Sequence, residues 1–285
     1  MKLTQTETGR KHMAQTNNSS NKLTNLELSI QLSLSGLSFC ILNKDSNTII
    51  EVKEFRFEKS LNPLEVLDEL KALFENETIL NNSFTNVTVI HDNELSTLVP
   101  KALFNKNHLA DYLKFNSKIL KSDFIAYDSI LKNSSVNVYV PYININNYIY
   151  DKFGAFIFKH VSSVLMESIL WIEKSSTAAK VYVHVSFNHF EIIIIKEGKL
   201  ELYNTFTYNS KEDFIYYILF TAEQLRLDPE TLNLVFIGDI TEKDELYNIA
   251  YKYIRNISFG NRHDNFKYIN KPKSKYSNFT LLKSF

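Results

Sequence analysis

The chain has 285 residues, 44% of them hydrophobic and 22% charged, as expected for a protein with a packed core. Thirty-two basic residues balance 32 acidic residues, which argues against a protein that coats nucleic acid over its whole surface. Only six glycines are present, and the closest two are Gly238 and Gly260. Phosphate-binding loops of the Walker A, dinucleotide-fingerprint and kinase types need glycines within about seven residues of each other. The composition therefore excludes these three loops.

Cysteine usage and hydropathy indicate the compartment. Cys40, the single cysteine, lies in the mostly apolar segment 37–42, which predicts a buried thiol and fits a reducing cytoplasm. The longest apolar run, residues 214–220, is far shorter than the ~18 residues that cross a bilayer, so we expect no membrane span. Residues 1–22 are polar, and we expect them to form a disordered leader.

The first half of the chain opens with a predicted three-stranded meander. Apolar residues alternate with polar ones from Leu26 to Leu34, which predicts a strand with one buried face. Two more strands are predicted at 37–42 and 48–57, and the sequence Asn62-Pro-Leu-Glu65 is typical of a helix start with a capping box. The next predicted segments are a strand at 86–91, helical or irregular residues at 95–120, strands at 136–140 and 155–159, and a helix at 161–172.

The second half repeats this order of elements. The predicted segments are strands at 180–187, 190–195 and 199–208, a helix after the capping box Ser210–Asp213, a strand at 232–237, and a helix capped at Thr241–Asp244. The order βββαβα thus occurs at 26–110 and again at 180–257. Because the repeat lies in element order and not in residues, an α/β protein with coincidentally similar halves stays an alternative.

Four segments carry a resemblance to a known family: 28–42 (LSIQLSLSGLSFCIL), 97–104 (TLVPKALF), 138–141 (VYVP) and 276–282 (YSNFTLL). They resemble a bacterial domain-of-unknown-function family with the actin-like ATPase fold, a duplicated ribonuclease H-like fold. The resemblance implies an α/β protein of two lobes around a cleft, each lobe a three-stranded meander followed by alternating helices and strands. It implies a first lobe over residues 23–175 and a second over 176–285, and it brings no established activity.

The resemblance also implies where a nucleotide site would lie. Active actin-like ATPases place an Asp-x-Gly-Ser/Thr loop at the first hairpin of each lobe, where the Asp organises a metal ion and the attacking water. Here the first hairpin, Gln31 to Ser38, keeps Gly36 but has no carboxylate, and the second, His184 to His189, has neither. A later Gly-Gly pair is replaced by Gly238-Asp239.

These departures predict a pseudo-ATPase, because phosphoryl transfer depends on positioning and on the charge of the metal. We therefore expect a non-catalytic binding or scaffold protein, with no cofactor, no metal site, no catalytic residue and a protein as its partner. A divergent nucleotide-binding protein is the alternative, and its cleft would be lined by Ser35, Gly36, Gly238 and Asp239.

The basic C-terminal segment supports another alternative, an RNA-associated accessory factor. Aromatic residues interleave with basic ones there, a combination that suits phosphate contacts and base stacking. The candidate nucleic-acid contacts are Arg262, Lys267, Lys271, Lys273 and Lys275. The competing interpretation is a solvated loop whose aromatic residues close the core.

Histidine spacing gives no metal prediction. His184 and His189 are five residues apart and would face opposite sides of a continuous strand. The hairpin turn between them could change that, but no third ligand is in view, and strand alternation likewise separates His91 from Asp92. The run 214–220 is apolar on nearly all sides of a helix, so it must be covered within the lobe or by a partner.

Overall fold

The computed structural model describes residues 25–285, and the predicted leader, residues 1–22, lies outside the described residues. The strands are β1 (Leu26–Leu32), β2 (Gly36–Asn43), β3 (Thr48–Arg56), β4 (Asn86–His91), β5 (Ser96–Pro100), β6 (Ala126–Ile130), β7 (Ser135–Tyr139), β8 (Ile157–His160), β9 (Lys180–Val185), β10 (His189–Lys196), β11 (Lys199–Thr207), β12 (Asn233–Gly238), β13 (Asn256–Phe259) and β14 (Lys267–Tyr268). The helices are α1 (Pro63–Asn76), α2 (Leu109–Leu113), α3 (Ile143–Phe153), α4 (Val161–Ile172), α5 (Lys211–Gln224), α6 (Glu245–Tyr253) and α7 (Phe279–Leu282). No helix within residues 25–285 is both long and apolar enough to cross a membrane.

Two large sheets share one strand order. The first sheet runs β14-β3-β2-β1-β4-β8 and the second runs β11-β10-β9-β12-β13. In each sheet an antiparallel meander is followed by two strands parallel to its first strand. The predicted two-lobed α/β fold is therefore confirmed. Helix α4 packs between the lobes, in a core that includes Ile90 of the first sheet and Val235 of the second.

The first repeat differs from the prediction in one large insertion. Residues 95–140, expected to begin with a helical or irregular stretch, form a separate sheet of order β5-β7-β6 with the short helix α2 on it. Leu113 of α2 packs against Val99, Val136 and Val138 in a small core of their own. The second helix of the first repeat is therefore α3, and the repeat extends beyond residue 110.

Strand β1 is buried on both faces, where the alternation predicted one. Ser29, on its polar face, is fully buried, and its hydroxyl lies 2.6 Å from that of Ser284. Cys40 of the neighbouring strand is buried as predicted, and burial raises the pKa of its thiol. The polar face is covered because the end of the chain returns to the first sheet, where β14 pairs with β3. The lobe boundary that the sequence predicts at residue 176 stays a prediction. That boundary assigned the returning C-terminal segment to the second lobe, whereas β14 pairs with β3 of the first sheet.

Side-chain caps fix where two of the helices begin. The capping boxes at Asn62–Glu65 and Ser210–Asp213 are both present, as predicted. The third predicted cap is wrong. Helix α6 begins at Glu245, because the Asp244 carboxylate accepts from the backbone N–H of Thr241 at 2.7 Å and closes a turn before the helix.

We expect Asn62→Ala to lower the free energy of unfolding by about 1 kcal/mol. The Asn62 side chain accepts from the backbone N–H groups of Leu64 and Glu65, at 2.9 and 3.1 Å, and alanine leaves both without this partner. Urea denaturation of both proteins measures the difference. Asn116→Ala, at an exposed position, is the control and should change the value by less than ~0.5 kcal/mol. Equal losses in the two variants would contradict the role of the cap.

Candidate functional site in the cleft

A cavity of about 130 Å³ lies between the two lobes. It is lined by the four residues that the sequence analysis named as cleft candidates, Ser35, Gly36, Gly238 and Asp239. The first two follow β1 and the last two end β12, so the structure brings together residues that are about 200 positions apart.

The first strand of each meander places a side chain in this cavity, Gln31 on β1 and His184 on β9. Neither is a carboxylate, although the resemblance implies an Asp near each position. The Gln31 amide donates to Asp92 at 3.0 Å, and His184 Nδ1 lies 2.7 Å from Glu191 Oε2. The carboxylates that these two side chains contact come from the residue after β4 and from β10, and Glu54 and Asp239 also line the cavity.

Asp92, His189 and Glu191 form a buried cluster that joins the lobes. His189 Nε2 lies 3.0 Å from Asp92 Oδ1 and 3.3 Å from Glu191 Oε1. Burial opposes the charged imidazolium, but the two carboxylates outweigh it and hold the pKa of His189 well above its ordinary value. Burial likewise opposes the charge on Glu191, but His189 and His184 hold its pKa below its usual range. The cluster is thus two carboxylates around one cation.

Within residues 25–285, this trio is the one group of three such side chains whose ligand atoms lie within 4.8 Å of one another. Imidazole and carboxylate donors suit a divalent transition metal. A protonated His189 supplies the positive charge at the same place. Sequence reasoning missed the trio. It separated His184 from His189 by strand alternation, but the chain reverses between β9 and β10, and both histidines contact Glu191.

Gly238 and Asp239 hold two strand ends together. Gly238 has φ of +87°, and a Cβ there would overlap the carbonyl oxygen of Val185, so the position requires glycine. The Asp239 backbone N–H donates to that same oxygen at 2.8 Å. The Asp239 carboxylate pairs with Arg56 of β3 across the cleft mouth, and the Arg56 guanidinium lies 5.4 Å from the centroid of the Phe187 ring.

Residues 274–285, here called the C-terminal plug, pass between the lobes, and residues 278–281 of the plug line the cleft cavity. Phe279 packs against Ile90 of the first sheet and Val235 of the second. Thr280 Oγ1 donates to Gln31 Oε1 at 2.5 Å, so both ends of the Gln31 amide are engaged. The carbonyl of Tyr276 accepts from the backbone N–H of Gly238 at 2.9 Å. The plug therefore bonds to both of the elements that a nucleotide would contact.

Arg262 corrects part of the nucleic-acid prediction, because it is only 3% exposed. Its guanidinium donates to the Asp264 carboxylate at 2.8 Å, to the carbonyl of Ser274 at 3.0 Å and to the carbonyl of Ser277. It anchors the C-terminal plug and presents no surface to a phosphate. The other candidates are exposed: Lys267, Lys271, Lys273 and Lys275.

Two more histidines near the cleft are buried and neutral. His91 Nδ1 accepts from the backbone N–H of Tyr142 at 3.3 Å, and burial lowers the pKa of His91 to about 3. His160 Nδ1 accepts from the N–H of Ser162 at 3.2 Å, and burial lowers its pKa to about 4. Burial raises the pKa of Asp128, which accepts from the N–H of His160, to about 6.

These shifts predict that acid destabilises the protein. His91 and His160 contribute stability that is complete above their unfolded pKa of 6.5 and is lost as pH falls toward 4. Asp128 acts in the opposite direction, since its raised pKa removes stability as pH rises through 6. Summed over His91, His160 and Asp128, unfolding between pH 6 and pH 5 takes up about one proton. We therefore expect the free energy of unfolding to fall by ~1 kcal/mol from pH 6 to pH 5.

Urea denaturation across this pH range measures the slope. Asp128→Asn keeps the shape of the side chain and removes the opposing titration, so the slope should steepen toward two protons. A free energy of unfolding that rises from pH 6 to pH 5 would contradict the assignment of neutral histidines.

Comparison with known proteins agrees with this fold. The family described as "Protein of unknown function (DUF3822)" matches residues 15–257. A crystal structure from Bacteroides thetaiotaomicron VPI-5482, of a protein with actin-like ATPase fold and unknown function, is 23% identical, with a TM-score of 0.77 over 92% of this chain and 96% of that chain. A structure of the PilM–PilN type IV pilus biogenesis complex is 9% identical, with a TM-score of 0.55 over 85% of this chain and 90% of that chain. No curated protein is similar enough to count as a match. The resemblance drawn from the sequence is thus confirmed, and the chain belongs to the DUF3822 family, on an actin-like ATPase fold.

Proposed function

We propose that this protein is a non-catalytic binding or scaffold protein of the cytoplasm, built on a degenerate actin-like ATPase fold, with another protein as its partner. The observation that carries the proposal is the C-terminal plug in the cleft. Thr280 of the plug bonds to Gln31 in the first hairpin, the hairpin in which the resemblance implies a magnesium-organising Asp. The single buried cysteine fits the cytoplasm.

The paired charges and the small volume of the cleft cavity support the proposal that the protein does not hydrolyse a nucleotide. Mg²⁺ prefers carboxylate and phosphate oxygens, but the Gln31 amide is neutral, and Asp92 and Glu191 already pair with His189. The cavity holds about 130 Å³. Ligand pockets of proteins usually hold roughly 300–1,000 Å³. Glu54 and Asp239 also line the cavity, but they pair with Asn278 and Arg56. Paired carboxylates and a small volume both disfavour a magnesium-bound nucleoside triphosphate beside the plug.

The outer helices of the second lobe support a protein partner. Tyr216 and Phe220 of α5 are 59% and 43% exposed, and their rings stack with centroids 5.9 Å apart. Tyr251 and Tyr253 of α6 are also exposed, and α5 packs on α6. Aromatic residues, tyrosine above all, are enriched at protein interfaces. The PilM–PilN complex is a precedent for a protein assembly among chains of similar fold.

Isothermal titration calorimetry of the full chain with Mg²⁺·ATP tests the proposal. We expect no saturable binding up to ~1 mM nucleotide and no phosphate release. Saturable binding with a Kd below ~100 μM would support the divergent nucleotide-binding protein instead. In that case Ser35→Ala and Asp239→Asn should weaken binding, while Ser46→Ala, in an exposed turn outside the cleft, should not.

The RNA-associated alternative rests on four exposed lysines along one segment, Lys267, Lys271, Lys273 and Lys275. Deleting the whole segment is not a clean test, because the deletion removes Phe279 and Leu281 from two cores. Substituting the four lysines with glutamine leaves those cores intact. Filter binding that falls with salt in the parent protein and disappears in this variant would favour RNA over a protein partner.

A further inference from the structure

A second cavity, of about 410 Å³, lies between α4 and the C-terminal end of the chain. Val164, Ser168 and Trp171 line it from α4, and their spacing places them on one face of that helix. Phe266 and Phe285 line the opposite side, with ring centroids 6.2 Å apart. Its volume lies in the range of small-molecule sites, and its walls combine three aromatic rings, of Trp171, Phe266 and Phe285, with charged and hydroxyl side chains. We call it the α4 cavity.

The charges around the α4 cavity leave one cation unpaired. Its two acidic residues are neutralised, Glu167 by Lys159 at 2.9 Å and Asp264 by Arg262 at 2.8 Å. Lys283 also lines the cavity, and within residues 25–285 no carboxylate lies at ion-pair distance from its ammonium group. Burial lowers the pKa of Lys283, and the charge of Asp264, which Arg262 already pairs with, offsets this shift only in part.

Trp171 concentrates positive charge at the same place. The ammonium of Lys283 lies 5.6 Å from the centroid of the indole ring and that of Lys174 lies 5.2 Å from it. Both distances are in the range of cation–π contacts. Two cations therefore lie beside the half-exposed indole, Lys283 in the wall of the cavity and Lys174 outside its lining, and an anion bound at Lys283 would offset part of this charge.

We propose that the α4 cavity binds a small carboxylate with an apolar or aromatic body. The carboxylate of this ligand accepts from the Lys283 ammonium and from the hydroxyl of Ser168, a polar residue on the face of α4 that lines the cavity. The apolar body packs against Trp171 and Phe266. This site is separate from the cleft and does not depend on whether the cleft binds nucleotide.

Trp171 makes the proposal directly measurable, because it is the only tryptophan in the chain. The intact protein is titrated with octanoate, with 4-phenylbutyrate and with octan-1-ol while tryptophan emission is recorded. We expect a saturable change with both carboxylates and an affinity at least ~10-fold weaker for the alcohol, which lacks the charge. Calorimetry with octanoate gives the same affinities without the fluorophore.

Three variants separate the site from general hydrophobic binding. Lys283→Gln should erase the preference for octanoate over octan-1-ol, while Lys283→Arg should keep it. Lys271→Gln, an exposed lysine near the same end of the chain, is the matched control and should bind as the parent does. Thermal melts confirm that each variant is folded. No saturable binding of either carboxylate, or equal affinity of the parent for octanoate and octan-1-ol, would overturn the proposal.

Discussion

Replacing Phe279 with alanine should lower the free energy of unfolding by about 3–5 kcal/mol, because it opens a large cavity between the lobes. Phe279 is 1% exposed and packs against Ile90 of the first sheet and Val235 of the second. The surrounding residues belong to β-sheets and to α4, which have little freedom to close the cavity. The loss should therefore be close to the full cost of the missing ring.

Urea denaturation measures this loss, and the chain offers a matched control. Phe115 is 81% exposed, so Phe115→Ala makes the same chemical change where no cavity forms. We expect it to change the free energy of unfolding by less than ~0.5 kcal/mol. A Phe279→Ala variant that is as stable as Phe115→Ala would show that the C-terminal plug does not hold the lobes together. It would also remove the main support for a closed cleft.

Local patterns in the sequence were sufficient for much of the fold. The capping box at Asn62 and the periodic helix over 161–172 depend on residues a few positions apart, and the structure has both. The duplicated order of strands followed from the same kind of signal. The segment 241–244 shows the limit of a local pattern. The pattern predicts a helix cap, but these four residues form a turn that the Asp244 carboxylate closes before the helix begins.

The central strand of the first sheet shows what a local pattern cannot contain. Ser29 and Gln31 along β1 suggested a solvated face, yet they face the C-terminal plug, about 250 residues away in the chain. Nothing near β1 in the sequence indicates that partner. A polar residue in a strand indicates only that its side chain has a polar neighbour, which can be water or another buried part of the chain.

The buried cluster of Asp92, His189 and Glu191 could not be predicted from the sequence for the same reason. His189 and Glu191 lie two residues apart on β10, but Asp92 follows β4, and only the packing of one lobe on the other brings it to His189. Without an assembled cleft, Asp92 is an isolated polar side chain at a strand end. The sequence could locate Ser35, Gly36, Gly238 and Asp239 because they stand in hairpin and strand-end positions that the resemblance marks.

Replacing His189 with leucine should lower the free energy of unfolding by about 3–5 kcal/mol at pH 8, since it leaves two buried carboxylates without their cation. The raised pKa of His189 means that its stabilising charge is present below pH 6.5 and is lost only as pH rises through the folded pKa. Without His189, the repulsion between Asp92 and Glu191 is relieved when one of them takes up a proton. The loss should therefore be smaller at pH 5 than at pH 6.5, where the contribution of His189 is still complete.

A double-mutant cycle distinguishes this electrostatic cost from lost packing. Glu191→Gln in the His189→Leu background removes one of the two facing charges and should recover part of the stability, whereas in the parent it should destabilise. His108→Leu, at an exposed ion pair with Asp111, is the control and should cost less than ~1 kcal/mol.

Chelation with EDTA tests which cation the cluster uses. A melting temperature unchanged by EDTA would fit the imidazolium, whereas a large fall would mean that Asp92, His189 and Glu191 hold a metal ion instead.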